Sequence, residues 1–154
     1  MSEVVDLAKK RVEEVVSFFG INVEVEAKET DDGIELDIAG SASTPRLIGH
    51  RGETLRAIEY LVNQMVKRDH PVSPRVLLDV AGYREARKSS LEEMARTTAA
   101  TVQETGEEVA LRPMNPAERR IVHMALREIP EVHTESRGDD RSRHIVVMLP
   151  KEKS

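Results

Sequence analysis

No cysteine occurs in the chain, so disulfides, thiolate nucleophiles and cysteine-ligated metal sites are excluded. There is no tryptophan, and two tyrosines and two phenylalanines leave little from which to build an aromatic platform for stacking bases. No apolar run approaches the ~18–20 residues of a transmembrane helix. The acidic start, Met1-Ser2-Glu3-Val4-Val5-Asp6, lacks the basic segment and apolar block of a signal peptide. A cytoplasmic protein is expected from these absences. The chain also lacks GxxxxGK[ST] and GxSxG, so neither a triphosphate cradle nor a nucleophile elbow is present. Histidines 50, 70, 123, 133 and 144 show no recognisable metal-ligand spacing beside a carboxylate. No metal, cofactor or catalytic residue is expected.

What remains is a chain of 154 residues, room for one medium domain or two very small ones. Its net charge of −5 argues against generic attraction to nucleic acid. The charge is segregated, however. Residues 1–45 hold eleven acids and four bases, whereas residues 46–75 hold six bases and three acids. A polyanion is therefore drawn to local patches.

Apolar spacing predicts a helix over 3–19, with Val5, Ala8, Val12, Val15, Val16 and Phe19 inward and Gly20 as the stop. Alternation predicts a hairpin of strands 21–27 and 34–38 about Asp31-Asp32-Gly33. One of its faces is apolar; the other is acidic, with Glu24, Glu26, Glu35 and Asp37. Thr44 is placed to cap a one-turn helix starting at Pro45. A longer helix follows Gly49-His50-Arg51-Gly52 and runs to about Arg68, with Leu55, Ile58, Val62 and Met65 inward. A strand at 76–80 comes next. Then a helix at 84–104, a short strand at 109–111, a helix at 116–128 and strands at 132–137 and 143–149 are expected. Asn115-Pro116-Ala117-Glu118 has the form of a capping box. The fold class read from this order is α+β: an α-β-β-α-α-β module, a long connecting helix and a small β-α-β-β module. The expected domains are 1–82 and 83–154.

Leu47-Ile48-Gly49-His50-Arg51-Gly52-Glu53-Thr54-Leu55 is the most informative segment. Two glycines three apart can adopt backbone angles closed to other residues and leave room for a phosphate backbone against loop amides. Taken alone the pattern is an ordinary helix–helix turn. Here it sits after two strands, between two helices and in the most basic stretch. In that setting residues 3–82 resemble a type II KH domain, whose Gly-x-x-Gly loop clamps about four single-stranded nucleotides. The resemblance places Gly49, His50, Arg51 and Gly52 on that backbone. It also places Ile48, Leu55 and Ile58 near an apolar groove, although core packing explains these three equally well.

On the helix starting at Pro116, Arg119, His123, Arg127 and Arg120 fall at roughly 0°, 40°, 80° and 100° on a helical wheel, opposite Ile121, Ala125 and Val122. Arg-x-x-x-His alone is most often a solvated face. Together with Pro113-Met114-Asn115-Pro116 and Thr134-Glu135-Ser136-Arg137-Gly138, it resembles an R-three-H domain over about residues 85–149. That family binds single-stranded nucleic acid through the Arg and His face.

The two modules in this order resemble the bacterial Jag family, also called SpoIIIJ-associated proteins. Many members carry an additional N-terminal Jag domain. This sequence starts directly at the KH-like helix, so a short form is expected, and functions of the extra domain are not carried over. The resemblance implies single-stranded RNA as ligand, with single-stranded DNA as the alternative. It also implies a post-transcriptional regulator or RNA chaperone linked to envelope or division control. Arg46, Arg51, Arg56 and Arg120 would supply long-range attraction. The rival implication is an adaptor whose KH-like domain forms a homodimer, or a heterodimer with another KH protein, and binds no RNA.

Overall fold

The computed structural model describes residues 2–151. The chain divides into two compact units between Arg84 and Glu85. The first holds α1 (Glu3–Ser17), β1 (Val25–Thr30), β2 (Gly33–Ile38), α2 (Thr44–Ile48), a 3₁₀ turn (His50–Gly52), α3 (Glu53–Asp69) and β3 (Val76–Val80). α4 (Tyr83–Thr105) begins at its end. The sheet order is β1-β2-β3, antiparallel for the first pair and parallel for the second. A parallel pair needs a crossover, and α2 with α3 supplies it.

α1 starts where the Ser2 hydroxyl accepts from the Val5 N–H, and it buries Val5, Ala8, Val12 and Val16. α3 buries Leu55, Ile58, Val62 and Val66 into the same core as Ile34, Leu36 and Ile38 of β2 and Val76, Leu78 and Val80 of β3. Leu55 and Ile58 are thus core residues, while Ile48 is only partly buried. Val66 takes the fully buried place expected of Met65. Three further expectations are corrected. α1 stops at Ser17, leaving Phe19 36% and Phe18 90% exposed. Residues 21–24 join no ladder, because Val25 already pairs with Ile38, the last residue of β2. Thr44 lies inside α2 rather than capping it; its hydroxyl accepts from the Ser41 N–H at 2.8 Å.

The outer rim of β3 is closed by side chains. Asn63 on α3 donates to the Val76 carbonyl at 2.8 Å and accepts from the Val76 N–H at 2.9 Å. Glu59 accepts from the Leu78 N–H at 2.9 Å, and Arg84 donates to the Leu78 carbonyl at 2.8 Å. Glu59 is 8% exposed and is paired with Arg84 and, more loosely, with Arg75. Its buried charge is therefore compensated.

The acidic hairpin face is larger than the hairpin. Glu26 pairs with Asp37 and Asp37 with Asp79, so three carboxylates form one row across three strands. Partial desolvation holds the Asp37 carboxyl above its ordinary range. Asp79, Glu35 and Glu26 add repulsion, against the lowering pull of Lys28. A raised carboxylate pKa means that ionisation disfavours the folded state. That cost is absent below the ordinary value of 3.8 and complete once pH exceeds the raised one. Solvent reaches this face and screens the repulsion, which keeps the cost small. Asp37→Asn is therefore expected to stabilise this unit at pH 7 by about 0.5 kcal/mol, or about 2–4 °C in melting temperature. The gain should shrink as pH falls toward the ordinary carboxylate value. Calorimetry of both chains at pH 7 and 4 checks the trend.

The second unit holds the rest of α4, β4 (Val109–Ala110), α5 (Pro116–Arg127), β5 (His133–Arg137), a 3₁₀ turn (Asp140–Ser142) and β6 (His144–Met148). Its antiparallel sheet has the order β4-β6-β5. Leu91, Ala95, Ala99 and Val102 of α4 share a core with Val122 and Leu126 of α5 and Ile145 and Val147 of β6. The architecture is the expected α+β pair of modules. Among the described residues no helix is long and apolar enough to cross a membrane.

Candidate nucleic-acid interface

The Gly-x-x-Gly segment is a backbone knot that requires both glycines. Gly49 has φ +68°, Arg51 +52° and Gly52 +76°, so three of four residues lie in the left-handed region. A Cβ on Gly49 would overlap the Thr54 hydroxyl and lie 2.8 Å from the Thr54 Cβ. One on Gly52 would lie 2.7 Å from the Tyr83 ring. The segment is closed on the inside by Thr54 and Tyr83 and presents exposed His50 outward. Gly52→Ala should cost roughly 2–3 kcal/mol through φ strain and the ring clash combined. A melting temperature within about 2 °C of wild type would refute that assignment.

The surrounding arginines share one arrangement. Arg46 donates to the Phe19 carbonyl at 2.8 Å, and Arg56 donates to the Arg51 carbonyl at 2.9 Å. A carbonyl fixes a guanidinium without cancelling its charge, unlike a carboxylate. Arg46 and Arg56 are exposed. Arg56 also holds the knot in shape, a role that sequence spacing did not reveal.

α5 repeats the device. Asn115 caps it by accepting from the Glu118 N–H at 3.0 Å. The other half of the expected capping box is replaced, because the Glu118 carboxylate accepts from Arg87 at 2.8 Å. Arg119 donates to the Met114 carbonyl. His123 is exposed, and its Nδ1 is hydrogen-bonded to the Thr134 hydroxyl of β5 at 2.7 Å. Arg119, Arg120, His123, Thr134, Glu135 and Ser136 line, with Pro116 and Ile145, an open pocket of about 350 Å³. Arg127, one turn beyond His123, is exposed outside this lining; it contacts the Met124 sulfur at 3.9 Å. Val122 faces the core as the wheel required, Ile121 and Ala125 are only partly buried against it, and Leu126, which the wheel places beside Arg119, is buried as well. No group of three or more metal-ligating side chains occurs among the described residues.

Both modules match known domain families. Residues 5–78 match the KH domain family of KhpA and KhpB, and residues 89–149 match the R-three-H domain family. The chain belongs to the proteins that join a KH domain to an R-three-H domain. This is the pairing of the Jag-type proteins. The two-domain chain is 39% identical over 132 residues to the RNA-binding protein KhpB of Clostridium symbiosum, covering 86% of this chain and 59% of that one. It is 32% identical over 126 residues to KhpB of Bacillus subtilis, covering 80% and 60%. With KhpB of Lactiplantibacillus plantarum it shares 37% over 105 residues, covering 68% and 33%. This Jag-type chain thus spans at most about 60% of the length of these relatives.

Proposed function

We propose that this Jag-type chain binds single-stranded RNA, without catalysis, in the bacterial cytoplasm. Gly49, His50, Arg51 and Gly52 take the sugar-phosphate backbone, with Arg46 and Arg56 beside them. Arg119, Arg120, His123 and Arg127 form a second contact. The observation that carries the reading is the recurrence of carbonyl-anchored arginines at both faces: Arg46 and Arg56 at one, Arg119 at the other. Charges preset in position by carbonyls at an exposed face suit a phosphate chain. The net charge of −5 makes binding modest and strongly salt dependent. The Jag resemblance extends the reading to a post-transcriptional regulator or RNA chaperone acting in envelope or division control.

Fluorescence anisotropy with single-stranded RNA of mixed sequence, duplex RNA and single-stranded DNA tests the ligand. Binding that prefers the single strand and weakens steeply with salt is expected; none at low salt would reject the reading. In the same assay, Arg119→Ala should weaken all sequences about equally and reduce the salt slope by roughly 0.7 units. A sequence-dependent loss would instead assign Arg119 to a base.

A second reading, the adaptor, is favoured by one specific observation. Ala57, Tyr60, Leu61 and Gln64 form an exposed stripe along α3, with Tyr60 65% and Leu61 49% exposed. A helical face of this kind suits a second KH domain. Light scattering of a Tyr60→Glu, Leu61→Glu chain distinguishes the readings. A loss of dimers with RNA binding retained assigns the stripe to self-association and the loop to RNA.

A further inference from the structure

Thr134 sits on β5, across the pocket from α5, and neither its hydroxyl nor the face it occupies is part of the Arg and His pattern. The hydroxyl is 2.7 Å from His123 Nδ1, and both side chains line the pocket of about 350 Å³. A hydroxyl has one donor and two acceptor positions, so it can partner either protonation state of a ring nitrogen. With Nδ1 engaged by Thr134, Nε2 is the ring nitrogen left for a ligand. A phosphate oxygen accepts hydrogen bonds and cannot donate one, so the useful neutral form carries its proton on Nε2. That form requires the threonine O–H to donate into Nδ1.

We propose that Thr134 is a positioning residue that holds neutral His123 in its Nε2–H form, so that the imidazole presents a fixed donor to a phosphate in the Arg119/His123 pocket. The inference rests on the proposed function and specifies how this part of the site works. The charged groups around the ring are Arg119, Arg120 and Arg127 on its own helix and Glu135 from β5. The two cations of the lining, Arg119 and Arg120, favour an anion in the pocket. Glu135 is turned toward Arg137, which donates to it at 3.1 Å, so it competes weakly for Nε2. A carboxylate or carbonyl at Nδ1 could only accept and would fix the opposite tautomer; the threonine hydroxyl can donate, and it places no negative charge beside the phosphate.

The tautomer is directly measurable. Long-range ¹⁵N–¹H correlation on the full chain at about pH 7.5, with His123 assigned by its disappearance in His123→Gln, should show the Nε2–H form dominant in wild type. Thr134→Val keeps the shape and removes the hydroxyl, and should give a mixture of tautomers. Its affinity for single-stranded RNA should fall roughly five-fold at this pH, about the worth of one hydrogen bond. At about pH 5.5, where an imidazolium donates from both nitrogens whatever its partner, the deficit should shrink below about two-fold. Thr134→Ser should restore both signals, which separates the hydroxyl from any packing defect of the valine chain. In a His123→Ala background, Thr134→Val should have no further effect on affinity. A dominant Nδ1–H form in wild type overturns the inference. So does a Thr134→Val deficit that persists equally at both pH values. A chain with the Nε2–H form that binds no RNA would count against the proposed function while leaving the positioning role standing.

Discussion

A chain carrying His50→Asp and Arg51→Asp should bind single-stranded RNA roughly 30-fold more weakly at moderate salt, and its salt slope should flatten. The pair puts two carboxylates where the phosphate backbone is proposed to run and removes a guanidinium. Each phosphate no longer neutralised takes roughly 0.7 units from the slope for a single strand. The variant should fold. His50 is exposed, and the left-handed backbone at Arg51 is one that aspartate tolerates better than most residues. The Arg56 bond at this position is made to the backbone carbonyl, which the substitution retains. Equal affinity of mutant and wild type, with matching circular dichroism, would remove the loop from the interface.

Glu59→Ala should lower the stability of the KH unit by about 2–4 kcal/mol, more than about 10 °C in melting temperature. The substitution leaves the Leu78 N–H without its acceptor, removes the counter-charge of Arg84 and Arg75 and opens a cavity beside α3. Glu59→Gln separates these effects. It keeps the acceptor for Leu78 and loses only the charge, so its cost should be less than half as large. Two variants with equal melting temperatures would show that the backbone bond contributes nothing.

Most elements could be read from local pattern. The periodicities of Val5, Ala8, Val12 and Val16 and of Leu55, Ile58 and Val62 report burial directly, and those residues are buried. The fold class followed, as did the placement of both motifs on their elements. What escaped depends on pairing at a distance. Ile21 to Glu24 alternate as a strand should, but β2 ends before it can offer them a partner. Glu118 has the spacing of a capping residue, yet Arg87, 31 positions earlier, takes its carboxylate. Thr54 and Tyr83 shape the glycine knot without any sequence signature of doing so. At the candidate site, sequence located the cations but not what anchors them, since a main-chain carbonyl has no letter. The bond between Thr134 and His123 was hidden because it joins a helix to a strand 11 residues away.

The closed rim of β3 bears on how copies of this protein can meet. Strand-to-strand growth, the route to fibres, needs two free edges on every sheet, one to accept a neighbour and one to offer the next. In the KH unit Asn63, Glu59 and Arg84 already occupy the backbone groups at one edge. Pairing through β1 could join two copies and would then have nowhere to continue. Strand-by-strand growth along this sheet therefore ends at one added neighbour.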